Sequence, residues 1–281
     1  MTTFFAGTRP GRAVTTGAVS FDLPVLYVRD DSFQALFSAD LRALEAAMPT
    51  DRLHPIAVAP GRGIVGIGAF DYLETSVGPY GELGVVVPVV HGRRPPPILP
   101  GLLESVWPGF GLLVLHLPVT DRLARDGGRA LWGYTKFLAS MKFLNTPELH
   151  ECRLEEAGEH ILTLRVVKRG IALPERRPLV TYSVKDGALV RTRIPQRAVA
   201  LHALGAGGSS LVLGDNHPVA GSIGALGIDP RPIMTRTFLG RTAILPEGEV
   251  VERGVRPLDG YLGRESNGRI AHLPAEVQPP S

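Results

Sequence analysis

Cysteine and lysine are both scarce in this chain of 281 residues. Cys152 is the single cysteine, so an internal disulfide is impossible and a reducing compartment is expected. Of the 30 basic residues all but four are arginines. The lysines are Lys136, Lys142, Lys168 and Lys185. With so few of them, each lysine becomes informative as a candidate for chemistry.

Long apolar runs and basic clusters are missing as well. No uncharged apolar stretch reaches the roughly 18 residues of a membrane span, and residues 1–14 lack the apolar segment of a signal peptide. The net charge is only +3, aromatic residues make up 6%, and no run of five lysines or arginines occurs. This composition gives little support to nucleic-acid binding. We expect a cytoplasmic protein with no nucleic-acid or membrane partner.

Histidines that could bind a metal are not grouped. The eight histidines are scattered, and none forms the His-x-His or His-Glu-x-x-His pairs typical of zinc sites. The sequence therefore predicts no metal site.

Turn-forming residues are abundant, with 33 glycines and 25 prolines spread along the chain. Many short strand-like segments follow one another, and Lys185-Asp186-Gly187 between two of them predicts a hairpin. Ser38 is expected to cap a helix over residues 39–48, and Thr120-Asp121 to cap a short helix that Gly127-Gly128 interrupts. This pattern favours a mainly β fold, a barrel or a sandwich, over a doubly wound one.

The domain organisation is read from the same pattern. Residues 1–20 are predicted to be a flexible N-terminal arm, 21–246 a single β-rich domain, and 247–281 a C-terminal extension that is partly disordered.

The most informative segment runs from Gly128 to Phe143. It places Lys136 among Trp132, Tyr134 and Phe137. If this segment is buried, desolvation favours the neutral amine, which is a nucleophile toward ketones and forms an iminium that acts as an electron sink. The alternative is a lysine whose stem lies along apolar surface while its ammonium reaches water.

Two motifs carry a family resemblance. Gly128-Arg129 followed by Gly133-Tyr134 and Lys136 is similar to the active-site segment Gly-Arg-x-x-x-Gly/Ala-Tyr-x-Lys of the acetoacetate decarboxylase family. Upstream, Tyr80-Gly81-Glu82 leading to Val87-Pro88-Val89 resembles the family segment whose glutamate lies in the catalytic pocket. The resemblance extends over roughly residues 24–246.

The resemblance implies both a fold and a site. The fold would be an antiparallel, cone-like double β-barrel with a few short helices. Lys136 would form a Schiff base with a keto acid, Glu82 would move protons, and no cofactor would be needed. An arginine, Arg29 or Arg129, would grip the substrate carboxylate. The expected substrate-binding residues are Arg29, Tyr134, Trp132 and Arg129. Family members often assemble, so a homo-oligomer is expected.

Two positions depart from the family pattern. Thr135 stands where the family has proline, and Phe137 where its decarboxylases have a second lysine. Acetoacetate decarboxylase is the usual example of a lysine activated by desolvation or a neighbouring cation. Three functions therefore stay open: decarboxylation of a β-keto acid, an aldolase-dehydratase or hydrolyase reaction on an α-keto acid such as pyruvate, and a non-catalytic barrel that binds an apolar small molecule.

Overall fold

Strands dominate the computed structural model, which describes residues 3–16, 19–97 and 107–266. The strands in these ranges, numbered β1 to β18 in chain order, are Arg12–Thr16, Val19–Leu23, Val25–Asp40, Leu53–Pro55, Ala57–Ala59, Arg62–Thr75, Tyr80–His91, Phe110–His116, Ser140–Asn145, Leu149–Glu156, Glu159–Val167, Ile171–Glu175, Leu179–Lys185, Ala188–Ile194, Gln196–Leu204, Ser210–Leu213, Met234–Leu245 and Glu249–Arg253. The α-helices there are α1 (Leu41–Ala46), α2 (Arg122–Trp132) and α3 (Pro218–Ala225), and the 3₁₀ turns are Thr3–Phe5 and Arg264–Ser266. None of the helices in these ranges is long and apolar enough to cross a membrane.

Twelve strands form one large sheet in the order β12-β15-β17-β3-β6-β7-β8-β13-β14-β18, with β4 beside β7 and β5 beside β6. Strands β8 and β13 run parallel, and their neighbours along the path pair in antiparallel fashion. The prediction of a mainly β fold with few helices is confirmed. The predicted closed barrel is not confirmed, because the path has two free ends, β12 and β18.

A second sheet, in the order β16-β11-β10-β9, packs against the large one. The core between the two sheets contains Leu154 and Leu164 from the small sheet together with Leu83 and Val85 from β7. Successive side chains of a strand point to opposite faces. The face of β7 that carries Glu82 therefore points away from this core, and it becomes one wall of a cavity.

The first helix is shorter than the sequence predicts. It covers Leu41–Ala46 rather than residues 39–48, and its N-cap is Asp40, whose carboxylate accepts a hydrogen bond from the Ala43 N–H at 2.9 Å. Ser38 is not the cap, because β3 continues through it and pairs with β6 as far as Asp40. Sheet pairing thus overrides the local helix signal.

The second helix is longer than predicted. Asp121 caps it as expected, accepting from the Ala124 N–H at 2.8 Å, but the helix then runs through Gly127-Gly128 to Trp132 without interruption. The left-handed residue Gly133, at φ 67°, ends it. The two glycines in the helix reflect close packing rather than a break.

The hairpin predicted at Lys185-Asp186-Gly187 is confirmed by the pairing of β13 with β14. Asp186 and Gly187 have φ of 50° and 69°, the left-handed values that a tight two-residue hairpin requires.

The described parts of the predicted N-terminal arm and of the predicted C-terminal extension both contain β-strands. In the predicted arm, β1 pairs with β2. Beyond residue 246, β18 pairs with β14, and Val255 and Tyr261 are buried. The described part of the C-terminal extension, up to residue 266, therefore packs on the sheet. Residues 267–281 lie outside the described ranges.

Candidate active site

Three extended segments lie side by side at the start of β7. The Leu83 N–H donates to the Pro118 carbonyl at 3.1 Å, and the Val119 N–H donates to the Phe137 carbonyl at 2.9 Å. Val119 also pairs with Glu82 on one side and Leu138 on the other. This arrangement brings a residue of the upstream motif and a residue of the lysine motif to the same place, although they are 54 positions apart.

Lys136 and Glu82 form a buried ion pair. The Lys136 Nζ lies 2.7 Å from Glu82 Oε2, and the two residues are 4% and 8% exposed. The Tyr72 hydroxyl donates to the other carboxylate oxygen of Glu82 at 3.2 Å. By contrast, the side chain of Lys142 is 75% exposed. The carboxylate is therefore placed to accept the proton that the ammonium must lose before the amine can attack a carbonyl.

The stem of Lys136 lies directly on α2. A Cβ added at Gly128 would fall 2.5 Å from Lys136 Cδ and 2.6 Å from its Cε. Since such contacts are far shorter than van der Waals distances, only glycine leaves room for the lysine at this point. This packing gives a physical reason for the glycine of the lysine motif.

Three tyrosines surround the ion pair. Tyr27 and Tyr80 share a hydrogen bond of 3.0 Å, the rings of Tyr72 and Tyr80 are 4.8 Å apart, and Lys136 Nζ lies 5.7 Å from the centre of the Tyr80 ring. Burial, together with the nearby Glu82 carboxylate, raises the pKa of Tyr27 and Tyr72 well above their usual value. Both hydroxyls consequently remain protonated, and that of Tyr72 donates its hydrogen bond to the carboxylate.

A buried arginine on β17 approaches the same region. Arg241 is 3% exposed; its Nη1 donates to Asp30 at 2.7 Å and its Nε to the side-chain oxygen of Gln196 at 2.9 Å. The guanidinium carbon lies 5.1 Å from the Phe70 ring centre, and that ring stacks on Tyr72, which binds Glu82. Arg241 is therefore linked to Glu82 through the contacting rings of Phe70 and Tyr72.

Arg241 carries a positive charge although it is buried. Burial alone would lower its pKa, but the Asp30 carboxylate outweighs burial and the pKa is raised. In the described chain the contacts of Arg241 use Nε and Nη1 and leave Nη2 without an acceptor. Arg241 also lines the cavity, where a guanidinium suits an anionic ligand.

The cavity itself has a volume of about 450 Å³. Glu82, Tyr134, Lys136 and Arg241 all line it. Its size falls in the range of about 300–1,000 Å³ that is usual for small-molecule sites. In the described ranges, no group of three or more His, Cys, Asp or Glu side chains is arranged to hold a metal ion.

Two of the predicted substrate-binding aromatics lie close to the lysine. Tyr134 lines the cavity, where its hydroxyl is 2.8 Å from Thr181 Oγ1, and burial raises its pKa to about 12. Trp132 does not line the large cavity; it lines a second, small one of about 30 Å³ behind Lys136. The Trp132 indole N–H donates to the Pro246 carbonyl at 2.9 Å.

The two arginines predicted to bind substrate do not reach the cavity. Arg129 Nε donates to the backbone carbonyl of Lys136 at 2.7 Å, and its Nη2 to that of Leu262 at 2.6 Å. Arg129 therefore supports the backbone of the lysine segment instead. Arg29 is exposed, because the register of β3 shifts around it and its inward neighbour is Asp30. Asp30 instead binds Arg241, a cavity-lining residue of β17.

The position of the second lysine faces away from the cavity. Phe137 contacts Tyr261 edge to face at 5.0 Å and stacks on His217 at 6.4 Å. Both of these residues bind Glu156. Neighbouring side chains of an extended segment point in opposite directions, so a lysine at 137 would lie near Glu156 and not beside Lys136.

Sequence reasoning missed Arg241, Tyr27 and Tyr72. A lone arginine within the apolar run Phe238–Leu245 is an available signal, since an unpaired charge is rarely buried in a strand. Tyr72 could have been found from strand pairing, because it lies directly opposite Tyr80, next to the upstream motif.

Comparison with known proteins identifies relatives of this arrangement. Residues 15–198 match the family model described as acetoacetate decarboxylase. The fold is similar to that of acetoacetate decarboxylase from Legionella pneumophila, with a TM-score of 0.63, 18% identity, and coverage of 82% of this chain and 88% of that one. The enduracididine biosynthesis enzyme MppR complexed with pyruvate has a TM-score of 0.57 at 11% identity, covering 82% of this chain and 91% of the other. An acetoacetate decarboxylase-like enzyme from Sphingomonas wittichii has a TM-score of 0.53 at 13% identity, covering 83% and 95%. No curated protein sequence matches this chain.

Proposed function

Because the chain belongs to the acetoacetate decarboxylase family, we propose that it is a Schiff-base-forming lyase that decarboxylates a β-keto acid through Lys136. The observation that carries this proposal is the buried contact of 2.7 Å between Lys136 Nζ and Glu82 in a cavity of small-molecule size. A solvated structural lysine would not need to be buried against a carboxylate inside a cavity.

The reaction needs only groups that this site contains. Glu82 accepts a proton from the Lys136 ammonium, and the free amine attacks the ketone carbon. The resulting carbinolamine loses water to give an iminium. The bond to the carboxylate carbon then breaks, CO₂ leaves, and the electron pair moves toward the iminium nitrogen to form an enamine. The proton that Glu82 accepted leaves with the water of the dehydration step. Glu82 then takes a proton from solvent and donates it to the enamine carbon, and hydrolysis of the resulting iminium releases the ketone and the lysine.

The surroundings have roles in the same scheme. We assign the substrate carboxylate to Nη2 of Arg241, which takes the part that the sequence suggested for Arg29 or Arg129. Tyr72 orients Glu82 through its hydrogen bond. The aromatic and aliphatic walls around Lys136 exclude water, which favours the loss of a charged carboxylate as CO₂.

A second reaction on the same Schiff base also has support. A structural neighbour, MppR, is complexed with pyruvate. An α-keto acid bound to Lys136 would become an enamine by losing a proton to Glu82 rather than by losing CO₂, and an aldol or dehydration step could follow. The two reactions share the lysine and the glutamate and differ in which bond to carbon breaks.

The experiment is mass spectrometry of the intact protein after incubation with a keto acid and sodium borohydride. Acetoacetate and pyruvate are tested separately, and CO₂ release is measured alongside. A stable adduct on Lys136 is expected, and it should be lost in Lys136→Ala. Lys142→Ala is the matched control, because Lys142 lies outside the cavity with its side chain 75% exposed. Adduct formation at the wild-type level in Lys136→Ala would refute the assignment.

A further inference from the structure

The cavity is larger than its proposed chemistry requires. Acetoacetate and pyruvate are among the smallest keto acids, whereas a volume of about 450 Å³ accommodates a ligand several times their size. Lys136, Glu82 and Arg241 account for one end of such a ligand. The rest of the cavity must then be explained by the part of the substrate that does not react.

One wall of the cavity is apolar. It comes mainly from β6, β7 and β8, whose cavity-lining residues other than Tyr72 and Glu82 are glycines, aliphatic residues and phenylalanines. The aliphatic members are Val86, Pro88, Leu112, Val114 and Leu117. Such a surface offers no partner to a charged or hydroxylated chain, so it suits a hydrocarbon segment.

The opposite wall is basic. Among the residues that the structure describes, six basic and three acidic side chains line the cavity. Apart from Lys136 and Arg241, the basic ones come from the segment after β12 and from β14 and β17: Arg177, Arg191, Arg193 and Arg236. The cavity as a whole is therefore suited to a ligand with more than one negative charge.

The centre of the basic wall is Glu175, which faces two guanidinium groups. Arg177 forms a bidentate pair with it, at 3.0 Å from Nε and 2.7 Å from Nη2. Burial would raise the pKa of Glu175, but the hydrogen bonds of Arg177 and the charge of Arg236 lower it. Taken by themselves, this carboxylate and the two guanidiniums carry one net positive charge. Arg193 adds to it, since this exposed side chain makes no hydrogen bond or ion pair within the described residues.

Hydrogen bonds connect this wall to Arg241, the arginine proposed to bind the substrate carboxylate. The side-chain oxygen of Gln196 accepts from Arg241 at 2.9 Å, and its side-chain nitrogen donates to the Arg177 carbonyl at 3.0 Å. The guanidinium near Lys136 and the arginines of the basic wall thus belong to one hydrogen-bonded surface. A ligand could be held by Arg241 at one end and by this wall at the other.

Building on the proposed function, we infer that the physiological substrate is an extended keto acid with a second anionic group at its far end. The keto acid end lies at Lys136 and Arg241, a hydrocarbon segment lies along the apolar wall, and the second anion binds at Arg177, Arg193 and Arg236. Carboxylate and phosphate share the chemistry that this wall recognises.

The test compares matched substrates by the rate of borohydride trapping and by kcat/KM for CO₂ release. β-Ketoadipate carries the second carboxylate, and β-ketohexanoate has a methyl group at that position. A phosphonate analogue of the same length distinguishes a phosphate-type anion from a carboxylate. A preference of about 10- to 100-fold for one of the dianions is expected, corresponding to hydrogen bonds with charged groups.

Variants of the basic wall assign that preference to its residues. The double substitution Arg193→Gln and Arg236→Gln should reduce the ratio of dianion to monoanion rates by at least about 10-fold. Arg165→Gln is the matched control, because Arg165 lies exposed on β11 in the other sheet. This control should keep the wild-type ratio.

Two failures can be told apart. If acetoacetate or β-ketohexanoate forms the Lys136 adduct as fast as the dianions, or if the double variant keeps the wild-type ratio, the inference is overturned and the proposed function stands. If none of these acids forms an adduct, the proposed function fails, and the inference fails with it.

Discussion

Two glutamates are buried on opposite sides of the segment that carries Lys136, and they have similar partners. Glu82 binds Lys136 and Tyr72; Glu156 accepts from His217 Nε2 at 2.8 Å and Tyr261 at 2.6 Å. Each is therefore a carboxylate next to a basic side chain and a tyrosine. They differ in access, since Glu82 lines the cavity of about 450 Å³, whereas Glu156 lines neither of the two cavities among the described residues.

The cluster around Glu156 instead holds residues 260–264 against the lysine segment. The Arg264 backbone N–H donates to Glu156 at 2.9 Å, and a Cβ at Gly263 would lie 3.1 Å from the Phe137 Cβ. Residues 260–264 therefore press against the back of the lysine segment, and Arg129 ties Leu262 to the Lys136 backbone. The comparison teaches that the same types of residue hold the backbone where no cavity reaches them, and are open to a ligand, as the proposed catalysis requires, where one does.

The largest expected effect separates the two glutamates. Glu82→Gln removes the proton acceptor and should lower the turnover of each folded molecule by about 10²- to 10⁴-fold. Glu156→Gln places an amide against two donors and should lower the free energy of unfolding by about 1–3 kcal/mol, while each folded molecule keeps near wild-type turnover. Steady-state kinetics and chemical denaturation measure the two effects. Loss of turnover in Glu156→Gln at full folding would contradict the division.

An intermediate effect is expected at the packing of Lys136 on α2. Gly128→Ala would force the lysine stem away from its position, and a displacement of about 1 Å can cost about 10²-fold in rate. The rate of borohydride trapping is the measurement. The matched control is Gly221→Ala in α3, where a Cβ would meet nothing within 4 Å. The control should trap at the wild-type rate and gain up to about 1 kcal/mol of stability. Equal trapping rates for both variants would mean that the stem has another route to the cavity.

The sequence predicts this molecule best where local chemistry decides. Asp186-Gly187 predicts its hairpin because few residues tolerate left-handed φ, and the two motifs predict that Lys136 and Glu82 act together. The free ends of the large sheet are not predictable in this way, because they depend on pairings among strands far apart in the chain. The helix at residues 39–48 was overestimated for the same reason, since β6 extends β3 into it.

The arginine near the site shows the same limit. Asp30 and Arg241 are 211 positions apart, and nothing local links them. A register shift in β3 decides that Asp30 points inward and Arg29 outward, and shifts of this kind have no sequence signal as specific as a hairpin turn. Catalytic motifs can therefore be read from the sequence, whereas the residues that complete the pocket depend on register.

The smallest expected effect concerns the free energy of unfolding at acid pH. We expect it to depend on buried histidines that do not line the cavity. His116 is buried with its Nε2 2.9 Å from Ser222 Oγ, and its Nδ1 has no hydrogen-bond partner among the described residues. Burial, assisted by the nearby His217, lowers the pKa of His116 to about 4 from its ordinary value of 6.5. Between these values the unfolded chain binds more protons than the folded one. Stability is therefore full above pH 6.5 and is lost as the pH falls toward 4.

Each such histidine contributes at most about 1.4 kcal/mol per pH unit in this window. His150, whose pKa is also lowered by burial to about 4, should contribute separately. The free energy of unfolding should thus depend less steeply on pH in His116→Gln, and still less steeply when His150→Gln is added. Chemical denaturation at several pH values between 4 and 6.5 measures the slope. If His116→Gln keeps the wild-type slope, the acid sensitivity arises elsewhere in the molecule and the burial of His116 is not its cause.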